Sequence, residues 1–205
     1  MDGIKEELTK SGNVFRGCSD SSYKLIPTAG RLPHPSIELE KELLRQFSAH
    51  IEPTIDGTLS SWDCLIAAQH YGVPTRLLDW TINPLIALYF AARRDKSVDF
   101  SVYSAGVTIL KVLPADSPFM IEQPTFVEPT LFDTRIQNQE SVFSIHGDPS
   151  RSLRLSKLSH FTFPASLRTD ALALCAKNGV SEDHLFPVGL TTGWKTTLGS
   201  QGTTA

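Results

Sequence analysis

The segment QHYGVPTRLLDWTINPLIALYFAA at residues 69–92 constrains the fold more than any other stretch of this chain. Gly72 suits the left-handed end of a first helix, and the proline two positions later prevents that helix from continuing. Asn83 and Pro84 are typical of the N-cap and the first position of a second helix. The segment therefore predicts two helices joined by residues 75–81, a connection too short and too charged to be a buried strand.

The second of these helices is almost entirely apolar. Residues 85–92 carry no charged side chain, and the predicted helix ends at Arg93 and Arg94, which are favourable at a helix C-terminus. A helix that is apolar on all sides is buried within its fold. We therefore expect this helix to lie at the centre of the packing and the turn before it to present polar groups.

The composition is that of a soluble globular protein. The chain has 205 residues, of which 40% are hydrophobic and 20% are charged, and this length suits one domain with a substantial core. The net charge of −3 gives no general attraction to nucleic acid or to anionic membranes, although it permits a local basic patch.

The cysteines and the apolar runs indicate in which cellular compartment the protein is expected. Cys18, Cys64 and Cys175 are widely spaced and odd in number, which fits neither a disulfide framework nor a zinc cluster and indicates a reducing cytosol. No signal peptide is visible, and the longest apolar stretch, Pro84–Ala92, is too short to span a bilayer. We therefore expect a cytoplasmic protein with no membrane contact and no metal site.

Strand and helix patterns precede the central segment. Val14–Gly17 is a short apolar run that predicts a strand with Arg16 at its edge. Ser36 is a predicted N-cap, and the helix after it has an apolar stripe at every fourth residue. A further helix is predicted from Ser60 or Ser61. The stripe comprises Leu39, Leu43, Phe47 and Ile51.

Strand patterns dominate the second half of the chain. Ser141–His146 alternates apolar and polar residues as a half-buried strand does, and Ser166 is a predicted N-cap for a last helix that stops at Gly179. Helices early in the chain and strands late in it favour the α+β class, with a helical N-terminal half packed on a mixed sheet. The other predicted strands are Val107–Leu113, Thr125–Phe132 and Leu158–Phe163.

Common catalytic motifs are absent from the sequence. It contains no GxxxxGK[ST], no GxGxxG that opens a helix, no HExxH, no CxxC pair and no GxSxG. These absences disfavour P-loop hydrolysis, Rossmann-type redox chemistry, zinc proteolysis and serine esterase chemistry.

Polar residues at the ends of the predicted elements are the candidates for a site. Arg76 and Asp79 are three residues apart across the predicted turn, and in one interpretation they form a structural ion pair, with Trp80 as a hydrophobic plug. In the other, Arg76 holds an anionic or phosphate-bearing ligand, because a guanidinium binds oxyanions bidentately. His70 and Tyr71 lie in the last turn of the preceding helix, where polar side chains can project into a cleft.

Arg16 and the pair Gln139 and Glu140 are further candidates. A buried arginine is rare unless it is paired, so Arg16 either meets a carboxylate or serves a site. Gln139 and Glu140 directly precede the Phe143 strand, and in a regular strand only one of them faces inward. A solvated sheet edge is the alternative for Glu140.

These motifs resemble the FRG domain family, which is named for a Phe-Arg-Gly triplet, present here at Phe15–Gly17. After the triplet come LIPTAGR, a glutamate-rich helix, the Gln-His-Tyr-Gly block, RIQNQESVF and FTFPASLRTDALALCAKNGVSEDHLFP, in the family's order. The resemblance runs from residue 12 to residue 190 and implies one FRG domain over residues 1–205, with a small, polar, frayed tail at 193–205.

The function that this resemblance implies is NAD chemistry. FRG domains resemble proteins of bacterial and phage conflict and have been connected with the ADP-ribosyltransferase superfamily. The resemblance implies a split sheet of the ADP-ribosyltransferase kind and an NAD-dependent transferase that acts as a toxin or phage-defence effector on nucleic acid or protein. A toxin of this kind would have a neutralising antitoxin or chaperone as its partner.

Residue roles follow from the same resemblance. As catalytic residues, Arg16 would hold the pyrophosphate or ribose of NAD, and Gln139 or Glu140 would bind the nicotinamide ribose and stabilise its oxocarbenium-like centre. Gln139 is favoured for positioning, and Glu140 is the charged candidate. The implied NAD-binding residues are Arg16, His70, Tyr71, Arg76, Asp79 and Trp80, with Tyr71 or Trp80 stacked on nicotinamide.

Two alternatives to a transferase remain open. The first is a non-catalytic binding module in which Arg16, Arg76 and His70 grip a phosphate-bearing ligand or the end of a nucleic acid. The second is a hydrolase of NAD or nucleotides that uses the same cleft.

Overall fold

The computed structural model of the chain describes residues 6, 8, 10, 12–51, 59–94, 97–111, 117–129 and 134–186. Within these ranges helices pack against one mixed seven-stranded sheet, so the α+β prediction is confirmed. The strands are β1 (Val14–Cys18), β2 (Leu77–Thr81), β3 (Phe100–Ala105), β4 (Ile109–Lys111), β5 (Thr125–Glu128), β6 (Ser141–Ile145) and β7 (Leu158–Phe163).

The helices begin where the cap residues predict, with one exception. The side chains of Ser36, Ser60 and Asn83 accept hydrogen bonds from amides in the first turn of their helices, and Gly72 has the left-handed φ of 82° that ends the second. Ser166 caps no helix, since it lies inside a 3-10 turn before the last long helix. The helices are α1 (Ile37–Ile51), α2 (Ser61–His70), α3 (Pro84–Ala92), α4 (Thr134–Asn138), α5 (Arg168–Lys177) and α6 (Glu182–Leu185), with 3-10 turns at Ala29–Arg31, Pro118–Met120 and Ala165–Leu167.

The sheet is weakly joined at its centre. The strand order is β4-β5-β6-β2-β1-β3-β7, in which the β4–β5 pair is parallel and the other described pairs are antiparallel. β1 pairs with β3 from Val14 to Cys18, but its only paired position with β2 is Phe15 opposite Thr81. Beyond that position β1 and β2 diverge, so the sheet consists of two halves with a split between them.

The helices of the two sheet halves form separate core clusters. α1 and α2 pack against the β2–β6 half around Phe47, Trp62 and Phe143, while α3 and α5 pack against the β1–β3 half around Phe15 and Leu88. Directly opposed residues of an antiparallel pair share a face, so the Phe15–Thr81 pairing places both clusters on the same side of the sheet. The boundary between the two helical groups therefore lies over the split.

α3 lies in the centre of its cluster, as predicted. Every residue from Pro84 to Ala92 is buried except the half-buried Phe90. Its contact with β1 depends on Gly17, because a Cβ atom there would lie 2.0 Å from the carbonyl oxygen of Ala87. The triplet of Phe15, Arg16 and Gly17 thus combines a core side chain, a cation at the split and a close helix contact.

Two strand predictions are wrong. Residues 75–81 were predicted as a connection, but β2 occupies Leu77–Thr81, and only Asp79 of its five residues is exposed. The strand accommodates a charge because that one side chain lies at the split. β3 was not predicted, although its residues Phe100–Ala105 are buried at five of six positions.

The predicted buried faces of α1 and β6 are also shifted. Glu40 and Leu44 are buried in α1, whereas Leu39 is 37% exposed, because the inward face begins one residue later than the predicted stripe. In β6, Ser144 is as buried as its apolar neighbours and His146 follows at 1% exposure, so both faces of this strand are covered.

Parts of several predictions lie outside the described residues. These parts are the ends of the two predicted strands at 112–113 and 130–132 and the tail at 193–205. Among the helices that the structure describes, none combines the length and the apolar character needed to cross a membrane.

Candidate functional site

A cleft of about 450 Å³ opens at the split between β1 and β2. Its walls come from both sheet halves: β1 and the end of α3 on one side, and the ends of β2 and α2 with the turn after α4 on the other. Phe186, just after α6, closes one end. The split is therefore filled by side chains of elements that are distant in sequence.

Arg16 spans the split. Its Nη1 atom donates a hydrogen bond of 2.6 Å to the carbonyl oxygen of Asp79 and lies 3.6 Å from the Oδ2 atom of the same residue. A guanidinium thus takes the place of ladder hydrogen bonds where β1 and β2 have diverged. The Arg16 side chain is 22% exposed and the Asp79 side chain 55%, so water or a ligand can reach this pair.

Gln69 holds the Asp79 carboxylate from the other side. The Nε2 atom of Gln69 donates to Asp79 Oδ2 at 2.9 Å, and the hydroxyl of Thr75 donates to Gln69 Oε1 at 2.5 Å. The carboxylate therefore lies between an amide from the end of α2 and a guanidinium from β1. Gln69 was not among the predicted site residues, although its place beside His70 at the helix end was a signal for it.

His70 lines the cleft and Tyr71 does not. The His70 carbonyl oxygen accepts a 3.1 Å hydrogen bond from Nη1 of Arg135, and the His70 ring meets Phe143 edge-on at 6.0 Å. Tyr71 packs on Phe47 at a ring distance of 5.6 Å, so its ring belongs to the helical core.

Arg76 is buried away from the cleft. Its guanidinium and backbone amide bind the Glu40 carboxylate at 2.7–2.9 Å, and the two side chains are 2% and 1% exposed. The predicted pairing of Arg76 with Asp79 is therefore wrong, because Arg76 lies just before β2 begins and α1 brings the Glu40 carboxylate to it. Burial of this pair also keeps Arg76 from a ligand in the cleft.

Trp80 lies beside the cleft with its indole directed into the core. It donates a 2.9 Å hydrogen bond from Nε1 to Ser144 Oγ and packs edge-on against Phe126 at 5.2 Å. The residue is 3% exposed, and its cluster is separate from both helical clusters. This position fits the predicted hydrophobic plug and leaves the indole unable to stack on a ligand.

Gln139 and Glu140 lie in a turn, which overturns the assumption of strand alternation. Gln139 lines the cleft, is 9% exposed, and donates from Nε2 to the Leu185 carbonyl oxygen at 3.1 Å. Glu140 has a left-handed φ of 44°, is exposed, and accepts a 2.9 Å hydrogen bond from Asn83. Among the described residues Gln139 is part of the cleft lining and Glu140 is not.

The charge in the cleft is strongly positive. Asp79 is the single carboxylate among the lining residues that the structure describes, whereas five arginines line the same cleft. Burial raises the pKa of the Cys18 thiol, and the charges of Arg16 and Arg31 oppose that rise. The five arginines are Arg16, Arg31, Arg93, Arg94 and Arg135.

Phe186 positions the arginines at the end of the cleft that it closes. Its ring centroid lies 4.5 Å from the guanidinium carbon of Arg93 and 5.0 Å from that of Arg135, and Phe90 meets its edge at 5.9 Å. Phe90, Arg93 and Phe186 were not predicted as part of the site, because they come from separate elements. Among the described residues, no group of three or more His, Cys, Asp or Glu side chains is arranged to hold a metal ion.

Comparison with known proteins gives a family match for the N-terminal part of the chain. The family model for the FRG domain matches residues 11–99, a range that contains the Phe-Arg-Gly triplet, the Gln-His-Tyr-Gly block and α3. No match was found among curated proteins or among solved structures. Gln139, Arg135 and Phe186 lie outside the matched range. The chain therefore matches the FRG domain over residues 11–99, in agreement with the family that its motifs resemble.

Proposed function

We propose that the cleft binds a nucleotide through its phosphates. The observation that carries this proposal is five arginines and one carboxylate around a split that Arg16 spans. Guanidinium groups match phosphate oxygens bidentately, and a cleft of about 450 Å³ has the size of a small-molecule site. The overall charge of −3 makes this concentration of cations a local feature of the fold.

NAD is the nucleotide that the family resemblance implies. Arg16 and Arg31, which both line the cleft, would hold its pyrophosphate, since two guanidiniums can neutralise two phosphate charges. In this arrangement Arg16 would exchange part of its contact with Asp79 for a phosphate oxygen. The exposure of both side chains makes that exchange inexpensive.

ADP-ribosyl transfer from NAD is a second candidate, favoured by the position of Asp79. NAD supplies a glycosidic bond whose cleavage builds positive charge on the ribose, and a nearby carboxylate stabilises such charge. Asp79 is the lining carboxylate, and Gln69 and Arg16 fix its orientation. This assignment replaces Glu140 as the charged candidate. It leaves Gln139 with a positioning role through Leu185.

One incubation distinguishes these functions. The full chain would be mixed with NAD labelled in its ADP-ribose part and with extracts that contain RNA, DNA and protein. Label on a macromolecule supports the transferase, and the class of macromolecule that is labelled identifies its target. By the family resemblance, such a transferase would be a toxin or phage-defence effector. Free ADP-ribose supports the hydrolase. NAD binding by calorimetry without turnover leaves a binding module, and absence of binding to NAD and to ADP-ribose contradicts the nucleotide proposal.

A matched pair of variants ties the result to the cleft. Asp79→Asn keeps the size of the side chain and removes its charge, so transfer or hydrolysis should fall by about 10²-fold or more while NAD still binds. Asp148→Asn is the control, because Asp148 is a surface carboxylate held by Ser150 in an exposed loop. Equal activity in both variants would remove Asp79 from the reaction.

A further inference from the structure

The wall of the cleft that carries Phe186 is built to hold two cations. Arg93 comes from the end of α3 and Arg135 from α4, and both guanidiniums lie within 5.0 Å of the Phe186 ring centroid. Cation–π contact restricts the direction of each guanidinium. The donation from Arg135 to the His70 carbonyl fixes its direction further.

The position of Phe186 itself is fixed by the turn that follows α4. Asn138 donates to the carbonyl oxygen of His184 at 2.6 Å, and Gln139 donates to that of Leu185 at 3.1 Å. These two hydrogen bonds tie the short helix α6 to the cleft. The aromatic ring that orients the arginines is therefore attached to the scaffold at two successive residues.

The cations of this wall exceed what one nucleotide requires. Arg16 belongs to β1 and Arg31 to the first 3-10 turn, while Arg93 and Arg135 lie against Phe186, which closes one end of the cleft. Arg93 has a carboxylate near it, but Glu182 is 3.7 Å away and its side chain is 70% exposed, so solvent screens that pair. The wall thus offers a second anion site at an open rim.

We propose that Phe186 is a positioning residue that holds Arg93 and Arg135 as a binding site for a phosphodiester of single-stranded nucleic acid. Arginines that line a cleft beside aromatic rings are the arrangement that binds single strands with little regard to sequence, and Arg93 and Arg135 both line this cleft. The strand enters beside the nucleotide, which makes it the acceptor in the transfer reaction. This inference rests on the proposed nucleotide site.

The test uses fluorescence anisotropy with a labelled single-stranded oligonucleotide at several salt concentrations. A phosphate contact to a single strand contributes about 0.7 to the slope of log affinity against log salt, so the double variant Arg93→Gln, Arg135→Gln should lower the slope by about 1.4. Arg151→Gln with Arg154→Gln removes the same charge from an exposed loop outside the lining residues and should leave the slope nearly unchanged. Equal slopes for the two double variants would overturn the proposal.

Phe186 variants test the positioning role. Phe186→Leu keeps an apolar side chain without an aromatic face and should weaken oligonucleotide binding about tenfold, whereas Phe186→Tyr should restore it. The melting temperature of each variant, measured in parallel, should stay close to that of the original chain, which shows that the fold is kept. Wild-type binding to NAD but not to the oligonucleotide would sink this inference and leave the nucleotide site standing. Failure to bind either ligand would contradict both.

Discussion

Arg76 and Arg16 show what separates a structural arginine from a site arginine in this fold. Both belong to the family-matched region, and both were candidates for a ligand. Arg76 is 2% exposed and bound to a carboxylate that is itself buried, so its charge is neutralised within the protein. Arg16 is 22% exposed and bound to a carbonyl oxygen and to a half-exposed carboxylate 3.6 Å away. A ligand can therefore compete for Arg16 and not for Arg76.

Arg168 extends the comparison to an arginine that has no carboxylate partner among the described residues. It is 7% exposed and donates to backbone carbonyls of Ser19, Ala91, Arg94 and Val98 at 2.7–3.0 Å. Two of these carbonyls belong to the C-terminal end of α3, where the helix dipole is negative. In this fold an arginine is structural when oxygens of the protein, from backbone carbonyls as well as carboxylates, neutralise its charge.

The largest expected effect comes from breaking the buried pair. Arg76→Met should lower the free energy of unfolding by about 3–5 kcal/mol, because it leaves the Glu40 carboxylate buried without a counter-ion. Urea denaturation followed by circular dichroism measures the loss. The double variant Glu40→Leu, Arg76→Met is the control and should recover much of it. A loss as small as that of a surface variant would show that Arg76 is not structural.

His146 responds to one arginine of each kind, which makes it a reporter for the comparison. Burial, and then the charges of Arg16 and Arg76, lower the pKa of His146 to about 4. The unfolded chain takes up a proton near the ordinary value of 6.5 and the folded chain does not. Stability is therefore fully present above pH 6.5 and is lost as the pH falls towards about 4, by roughly 3 kcal/mol in total.

NMR titration of the His146 ring, together with unfolding at several pH values, measures this dependence. In Arg16→Ala the pKa of His146 should move upward, since one repelling charge has gone. His146→Gln should flatten the stability profile between pH 4 and pH 6.5. An unchanged profile in that variant would assign the acid sensitivity to other groups.

The sequence predicted the parts of the fold and site that depend on neighbouring residues. The caps at Gly72 and Asn83, the buried helix α3 and the cation at the first strand follow from local chemistry that needs no knowledge of the packing. The partners of Arg16 did not follow, because they depend on how β1 and β2 diverge.

Long-range contacts explain the remaining misses. Glu40 meets Arg76 across 36 positions of sequence, and a shift of one residue in the inward face of α1 decides whether that carboxylate points inward. Phe186 meets Arg93 and Arg135 only after α6 has docked on the turn at Gln139. No periodicity within one element carries this information, so the second wall of the cleft was invisible until the fold was known.

A smaller effect on stability, but a clear one on binding, is expected for Arg16→Ala. The lost contacts lie in a cleft that water can enter, so the free energy of unfolding should fall by about 1 kcal/mol and the melting temperature by about 2–4 °C. The Kd for NAD or ADP-ribose, measured by calorimetry, should rise about 10- to 100-fold, as expected for loss of a charged hydrogen bond. Arg16→Lys keeps the charge without the planar fork, so its Kd should lie between that of the original chain and that of Arg16→Ala.

A fall in melting temperature as large as that of Arg76→Met would place Arg16 with the structural arginines. Unchanged ligand affinity in Arg16→Ala would instead remove it from the site. Either result breaks the comparison at its central residue.

The smallest effect is expected for Glu140→Gln, which separates the two candidate carboxylates. Glu140 is exposed and its described contact is with Asn83, a hydrogen bond that a glutamine oxygen can also accept. The melting temperature should stay within about 2 °C, and any transfer or hydrolysis rate with labelled NAD should stay within about twofold, since the Glu140 side chain is exposed and is not part of the described cleft lining. Asp79→Asn, assayed in parallel, should lose rate strongly. If Glu140→Gln loses rate as Asp79→Asn does, the turn after α4 must bring Glu140 into the cleft during the reaction, and the assignment of Asp79 as the stabilising carboxylate fails.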